Sequence, residues 1–261
     1  MMLAVVGATG LVGSALVKVA QDSGHDVVAM SKESGADVLQ LEGLAGKLGS
    51  AEALVDVTQS PSLEEAEAGA FFTRAARNLA QAMRDAGVPH MVVLSIIGVD
   101  RIAQADTDAG TGFDGYYRAK YVQEQAALAA SAGAQVVRSA QFHDIARQVI
   151  GWGRDEDRAT VPDLIIQPVA VEAMVHVLLG AATGEVTGPL IEVAGPSVEH
   201  LAALSTAYAA ATGDPVKVDA GPIGDLVRDG VLLPGQDAHL VGPSFAEWLA
   251  ARPHTSAVTR S

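Results

Sequence analysis

The chain commits to an architecture at its very start. Leu3-Ala4-Val5-Val6 is an unbroken apolar run, as a strand buried on both faces would be, and it ends in Gly7-Ala8-Thr9-Gly10-Leu11-Val12-Gly13. From Leu11 to Gln21 the pattern is helical, and Asp26 to Met30 reads as a second strand. Each glycine has a separate use here. Gly7 permits a tight turn, Gly10 leaves the backbone bare, and Gly13 lets the helix lie close on the strand. A helix that starts this way offers free N–H groups and a partial positive charge, which suits a pyrophosphate. With a strand before it and a helix after it, this spacing is that of a dinucleotide-binding turn.

The same alternation continues. Ala53 to Val57 reads as a strand closed by Thr58-Gln59-Ser60-Pro61, and Leu63 to Ala86 as an alanine-rich helix stopped by Gly87. His90 to Leu94 is a third apolar strand, followed by a loop from Ser95 to Gly115. Tyr116 to Ser131 is helical, and Ala134 to Arg138 is the next strand. Strands alternating with helices predict an α/β protein with a Rossmann-type, doubly wound parallel sheet. Beyond Ser139 the pattern loosens: a helix from Asp144 to Ile150, a polar loop from Gly151 to Thr160, and Leu164-Ile165-Ile166. A helix from Val171 to Leu179, a strand near Leu190 to Val193 and a helix from Leu201 to Ala211 complete it. The expectation is a single domain over 1–261. It comprises a dinucleotide-binding core (1–139), a small C-terminal lobe covering the substrate (140–251) and a flexible tail (252–261).

Composition narrows the function classes. Aromatic residues are 4% of the 261, so the core must be built from Ala, Val, Leu and Ile. A net charge of −14 repels phosphate backbones, which argues against nucleic acid as a partner. The absence of cysteine excludes disulfides and thiol catalysis. No apolar run reaches the length of a membrane span, and the apolar start lacks a basic leader. The expected location is the cytoplasm, with no membrane partner and a monomer or homodimer as the assembly.

Two further patterns carry chemistry. Ser31-Lys32 directly follows the second strand, and a hydroxyl with a cation there suits a 2′-phosphate. NADP is therefore favoured over NAD, with Glu33 read as falling too late to matter and a solvated Lys32 as the plain alternative. Tyr116 and Lys120 are one helical turn apart, and Ser95 ends a buried strand where open α/β sheets contact ligands. An ammonium beside the phenol would lower its pKa, and the serine could hold a substrate oxygen. The plain alternative is a packed tyrosine with a lysine reaching water, and Tyr117 competes to be the buried ring.

Four elements in this order, Gly7 to Gly13, Asp56-Val57-Thr58, Leu94-Ser95-Ile96-Ile97-Gly98 and Tyr116-Tyr117-Arg118-Ala119-Lys120, resemble the short-chain dehydrogenase/reductase superfamily. The likeness is to its atypical, NmrA-like NAD(P)-binding branch. It extends through Val137 to Phe142 and Gln167-Pro168-Val169. The resemblance implies that Ser95, Tyr116 and Lys120 reduce a carbonyl or oxidise an alcohol, Lys120 also contacting the nicotinamide ribose. It implies a cofactor held by Gly7, Thr9, Gly10, Leu11, Val12, Gly13, Ser31 and Lys32, with Thr58, Gln59 and Ser60 running along it. Gln141, Phe142 and His143, just past a strand end, are the candidates for binding substrate, with a satisfied structural histidine the plainer reading of His143. Trp152 either lines that pocket or packs a loop. No histidine–carboxylate spacing suggests a metal. The expected function is an NADP-dependent oxidoreductase acting on a small carbonyl or alcohol. The rivals are a non-catalytic NAD(P)-binding redox sensor and an epimerase or isomerase that uses the nicotinamide transiently.

Overall fold

A computed structural model describes residues 1–105 and 113–252. In chain order the strands are β1 (Met2–Val6), β2 (Asp26–Met30), β3 (Ala53–Asp56), β4 (His90–Ile96), β5 (Ala134–Ser139) and β6 (Arg154–Asp155). They continue as β7 (Arg158–Pro162), β8 (Ile165–Ile166), β9 (Leu190–Ala194), β10 (Glu199–His200), β11 (Lys217–Gly221) and β12 (His239–Leu240). The helices are α1 (Leu11–Asp22), α2 (Leu44–Leu48), α3 (Glu65–Ala86), α4 (Val99–Ala103) and α5 (Asp114–Ala130). The later ones are α6 (Ile145–Gly153), α7 (Val171–Thr183), α8 (Leu201–Thr212), α9 (Asp225–Arg228) and α10 (Phe245–Ala250).

Seven strands pair in parallel, in the order β12-β9-β5-β4-β3-β1-β2. After β2 the chain crosses back over β1 to build β3 on its other side. The C-terminal ends of β1 and β3 therefore border the crevice in which such sheets bind ligands.

Strand alternation divides the core into two layers. Leu3 and Val5 of β1 pack with Leu16 of α1 and Met174 and Leu178 of α7. Ala4 and Val6 face the other way, onto Leu79 and Met83 of α3, together with Met91 and Val93 of β4. Both sheet faces are thus covered, which is why the strands read as continuous apolar runs. On α3 the buried positions Ala68, Phe72, Ala75, Ala76, Leu79, Ala82 and Met83 keep helical spacing, and Gly87 ends the helix at φ 74°. Among the described residues no helix is long and apolar enough to cross a membrane.

The second half differs from the sequence expectation in two ways. β9 pairs with β5 and β12 with β9, so residues expected in the covering lobe complete the central sheet. The division at 139/140 therefore does not separate core from lobe in space. The expected polar loop Gly151 to Thr160 contains the end of α6 and an antiparallel hairpin of β6 and β7. β6 is two charged residues and has no period, whereas β7 alternates exposed and buried positions from Arg158 to Val161, a signal that the polar flanks masked. The lobe has its own apolar cluster, with Val99, Ile102, Tyr117, Val161, Ile166, Leu201, Phe245 and Trp248 at its centre. Of the expected tail, Arg252 pairs with Asp144 at 3.0 Å and lies over the Trp248 ring; 253–261 fall outside the described residues.

Candidate active site

The glycine turn is tied to the neighbouring strand. Gly7, at φ 86°, and Ala8 both donate their N–H to the Met30 carbonyl, at 3.0 and 3.1 Å. Gly10 starts α1 without a side-chain cap, and the first turn holds no acidic residue. Its N–H groups thus meet no capping side chain. A Cβ on Gly13 would sit 2.1 Å from the Gly7 oxygen, whereas one on Gly10 would clear the same atom at 3.4 Å. Gly13 is therefore required by packing, and Gly10 is left for whatever approaches the turn. Leu11 is exposed and Val12 buried, so what this pair offers a ligand is backbone.

At the end of β2, Ser31 is buried and exchanges hydrogen bonds with Ser34. Lys32 is exposed, 3.9 Å from Asp37. Glu33 corrects the sequence reading. The turn after Ser31 brings it back over the glycine loop, where its carboxylate accepts from the Thr9 hydroxyl at 3.4 Å. Hydrogen bonds from its own backbone N–H and from Ser31 hold that carboxyl below the usual carboxylate range. Counting positions along the strand missed it because a turn does not advance the chain.

At the end of β3, Asp56 is buried and accepts the Thr58 N–H at 2.9 Å. The Thr58 hydroxyl is buried with no partner. A Cβ on Gly7 would lie 3.0 Å from the Val57 oxygen, so the glycine loop and the Thr58 segment touch. Gln59 hydrogen-bonds the Tyr116 hydroxyl, and Ser60 accepts the Ser62 N–H at 3.2 Å. An uncapped helix start, a backbone-only turn and an orphaned hydroxyl beside it fit the chemistry of a nicotinamide dinucleotide.

Ser95 occupies the same face of β4 as Met91 and Val93, the face covered by α3 and α5. Its Oγ is buried and unpartnered. Lys120 of α5 reaches the adjoining backbone, donating to the Leu94 carbonyl at 2.7 Å and to Gln123 Oε1. Its Nζ lies 4.9 Å from the centre of the Phe72 ring, and that ring meets Tyr116 edge-on at 6.2 Å. Burial lowers the Lys120 pKa to about 8, against the opposing pull of Asp56 and Glu124. Burial also raises Tyr116 far above the ordinary phenol value, Gln59 opposing it. The groups acting on Tyr116 do not include Lys120, whose ammonium is engaged by Leu94 and Gln123.

Tyr117 points into the lobe core. Its hydroxyl accepts from Gln141 Nε2 at 3.1 Å, and burial pushes its pKa up to about 12. Gln141 Oε1 is buried without a partner. Phe142 bridges to Val169 and packs beneath the sheet. His143 turns the other way, between Phe245 and Trp248 at 5.5 and 5.1 Å, with Nε2 at 3.2 Å from the Pro243 carbonyl. Its position docks α10 onto the fold. Trp152 is exposed against Phe113. Sequence reading missed a buried chain on α5. Gln123 donates to Asp56 at 3.0 Å, and Arg138 grips Glu124 twice, at 2.9 and 2.8 Å, and Asp100 once. The i,i+3 and i,i+4 spacing of Lys120, Gln123 and Glu124 was the available signal.

Comparison with known proteins agrees with this geometry. A curated relative, the dTDP-4-dehydrorhamnose reductase of Mycolicibacterium smegmatis, is 28% identical over 207 residues, 76% of this chain. The alignment takes in 61% of that protein, so the chain spans less than two thirds of its relative's length. Among solved structures, MoeE5 in complex with UDP-glucose and NAD superposes with a TM-score of 0.72 at 19% identity, over 96% of each chain. The dTDP-4-dehydrorhamnose reductase of Bacillus anthracis in complex with NADP gives 0.69 at 17% identity, over 95% of each. At such identities the likeness is one of fold. A model of NAD(P)H-binding proteins matches residues 7–163, from the first glycine of the turn to the segment after β7, and the chain belongs to that NAD(P)H-binding family.

Proposed function

We propose that the protein is an NADP-dependent oxidoreductase that reduces a small carbonyl compound, with Tyr116 as the proton donor. The observation that carries this reading is the buried, unpartnered Ser95 Oγ near the end of β4, together with a Tyr116 hydroxyl turned to Gln59 of the segment after β3. Gly7, Gly10, Gly13 and the start of α1 would hold the pyrophosphate, Ser31 and Lys32 the 2′-phosphate, and Thr58 to Ser60 the length of the cofactor. When bound, the nicotinamide supplies or takes up a hydride. Ser95 Oγ, buried without a partner, is free to donate to a substrate oxygen. Tyr116, raised by burial, keeps its proton at neutral pH and so acts as an acid. That sense of transfer favours carbonyl reduction over alcohol oxidation. Gln141, with one amide atom unpartnered, is the nearest candidate for a polar substrate contact. The dTDP-4-dehydrorhamnose reductase relatives suggest a sugar-like carbonyl as the first class to try.

A second reading, a non-catalytic NAD(P)-binding regulator, draws support from the Lys120 ammonium being turned to Gln123 and Leu94 rather than to Tyr116. Following NADPH oxidation against a panel of carbonyl compounds separates the two. Turnover that disappears in Tyr116→Phe supports the enzyme, and tight NADPH binding without turnover on any panel member supports the regulator.

A further inference from the structure

Lys120 is the one described lysine that is buried, and nothing in the sequence explains what holds it there. Three donors and no acceptor make an ammonium costly to bury unless acceptors meet it. Two do so directly, the Leu94 carbonyl and Gln123 Oε1. The orientation of the Gln123 amide follows: its oxygen faces the ammonium, so its NH2 must find an acceptor, and it donates to Asp56 Oδ2 at 3.0 Å. Asp56 Oδ1 takes the Thr58 N–H at 2.9 Å. Both carboxylate oxygens therefore accept, and the donors converge on Asp56: Lys120 gives to Gln123 and Gln123 to Asp56 from one side, and the Thr58 N–H gives to Asp56 from the other.

We propose that Asp56 and Gln123 are positioning residues, a buried relay that holds the Lys120 ammonium at the Leu94 carbonyl and couples it to the Thr58 segment across the ends of β3 and β4. The amide is the spacer that makes this useful. A carboxylate directly on Lys120 would close the pair and anchor the amine, whereas a carboxylate one amide away orients it and leaves capacity for a ligand. The consequence for catalysis rests on the reading of Lys120 under Proposed function, but the relay itself does not. The groups around Lys120 are Asp56 from β3, Gln123 and Glu124 from its own helix, and the Phe72 ring from α3. Behind Glu124 stands Arg138 from β5, which pairs with that carboxylate and with Asp100 of α4, so Asp56 is the acceptor reached through the amide while Glu124 acts on Lys120 only through space.

The test is lysine ε-carbon NMR on the full chain without cofactor, titrated with pH. There are five lysines, so Lys120→Met assigns the signal. Asp56→Asn should lower the Lys120 titration midpoint by roughly one unit, and Gln123→Glu, which puts a charge in direct contact, should raise it. Opposite shifts from two substitutions along one line are not what general loosening produces. Unfolding would move every variant toward the value of a free lysine. If circular dichroism shows both variants folded and the midpoint stays at its wild-type value, the relay is overturned. Should Asp56→Asn fail to fold, the absence of an upward shift in Gln123→Glu overturns it alone. Fluorescence titration with NADPH separates the two proposals. Opposite midpoint shifts with unimpaired NADPH affinity in Lys120→Met would support the relay while sinking the role of Lys120 at the cofactor.

Discussion

The Lys120 ammonium lies 2.7 Å from the carbonyl oxygen of Leu94, the residue before Ser95. A helix side chain therefore ends on the backbone of a sheet strand, at the strand end that borders the crevice. α5 and β4 are pinned to each other at this point, so any movement of the helix carries Ser95, Lys120 and Tyr116 together.

That burial has a measurable sign. Lys120 falls from 10.5 to about 8 in the folded chain, so between those values the unfolded chain holds more protons than the native one. Stability gained from this group is complete above about 10.5, grows with pH through the interval at up to ~1.4 kcal/mol per pH unit, and is lost as pH falls through about 8. Lys120→Met removes the titration. The stability of the wild type relative to this variant should thus rise between pH 8 and 10 in urea unfolding. A difference that stays flat with pH would mean that the amine is solvated in the native state.

Gly13 and Gly10 should separate stability from binding. A methyl on Gly13 meets the Gly7 oxygen at 2.1 Å and Ala8 Cα at 2.8 Å, both backbone, so Gly13→Ala must push α1 off β1. It should cost roughly 1–3 kcal/mol, read as a fall in melting temperature. Gly10→Val starts from a clearance of 3.4 Å and should melt near the wild type while losing NADPH affinity by about tenfold or more. Equal losses of stability in the two variants would contradict the division of roles.

Cofactor preference turns on two neighbours with opposite charges. Lys32 is exposed and available to a 2′-phosphate, while the Glu33 carboxylate sits over Thr9 and would repel one. Glu33→Gln should raise NADPH affinity roughly two- to fivefold over NADH, and Lys32→Asp should reverse the preference. Both are read by isothermal titration. An unaltered protein that binds NADH more tightly than NADPH would show that Glu33 takes the ribose hydroxyls and that Lys32 is only a surface charge.

What the sequence revealed followed from periodicity and local geometry. The Gly7 to Gly13 turn, the strands through β5 and the Gly87 stop lie where the pattern puts them, because each is dictated within a few residues. β9 reads as a strand near Leu190 to Val193 but not as a member of the central sheet, and β12 is hidden, since a two-residue strand such as His239–Leu240 has no period and joins the sheet only through a partner far along the chain. Glu33 was misread because a turn reverses direction without changing the residue count. Asp56 and Gln123 meet across 67 positions, a contact that spacing on α5 hints at from one side only. For His143 the structural reading is the plainer one, and its ring is indeed taken up by Phe245 and Trp248, partners that lie a hundred positions away and that spacing could not name.

The remaining prediction decides between the two tyrosines. Tyr116 and Tyr117 are adjacent, so they point about 100° apart around α5, one toward Phe72 and Gln59 and the other toward Gln141. Both are raised by burial, so both keep their protons at neutral pH, and only position can make one the donor. Tyr116→Phe removes a hydroxyl whose partner is Gln59, on the cofactor-side segment; turnover should fall roughly 10²–10⁴-fold with little change in NADPH affinity. Tyr117→Phe leaves the Gln141 amide, already short of one partner, without its other. That variant should lose roughly 1–3 kcal/mol of stability and keep most of its turnover per folded molecule. Because Tyr116 works as an acid, the rate of carbonyl reduction should hold steady through neutral pH, with no fall that tracks a phenol below pH 9. Steady-state rates normalised to the folded fraction check each of these. An inactive Tyr117→Phe beside an active Tyr116→Phe would move the proton donor to the lobe side of the helix and make Gln141 its partner.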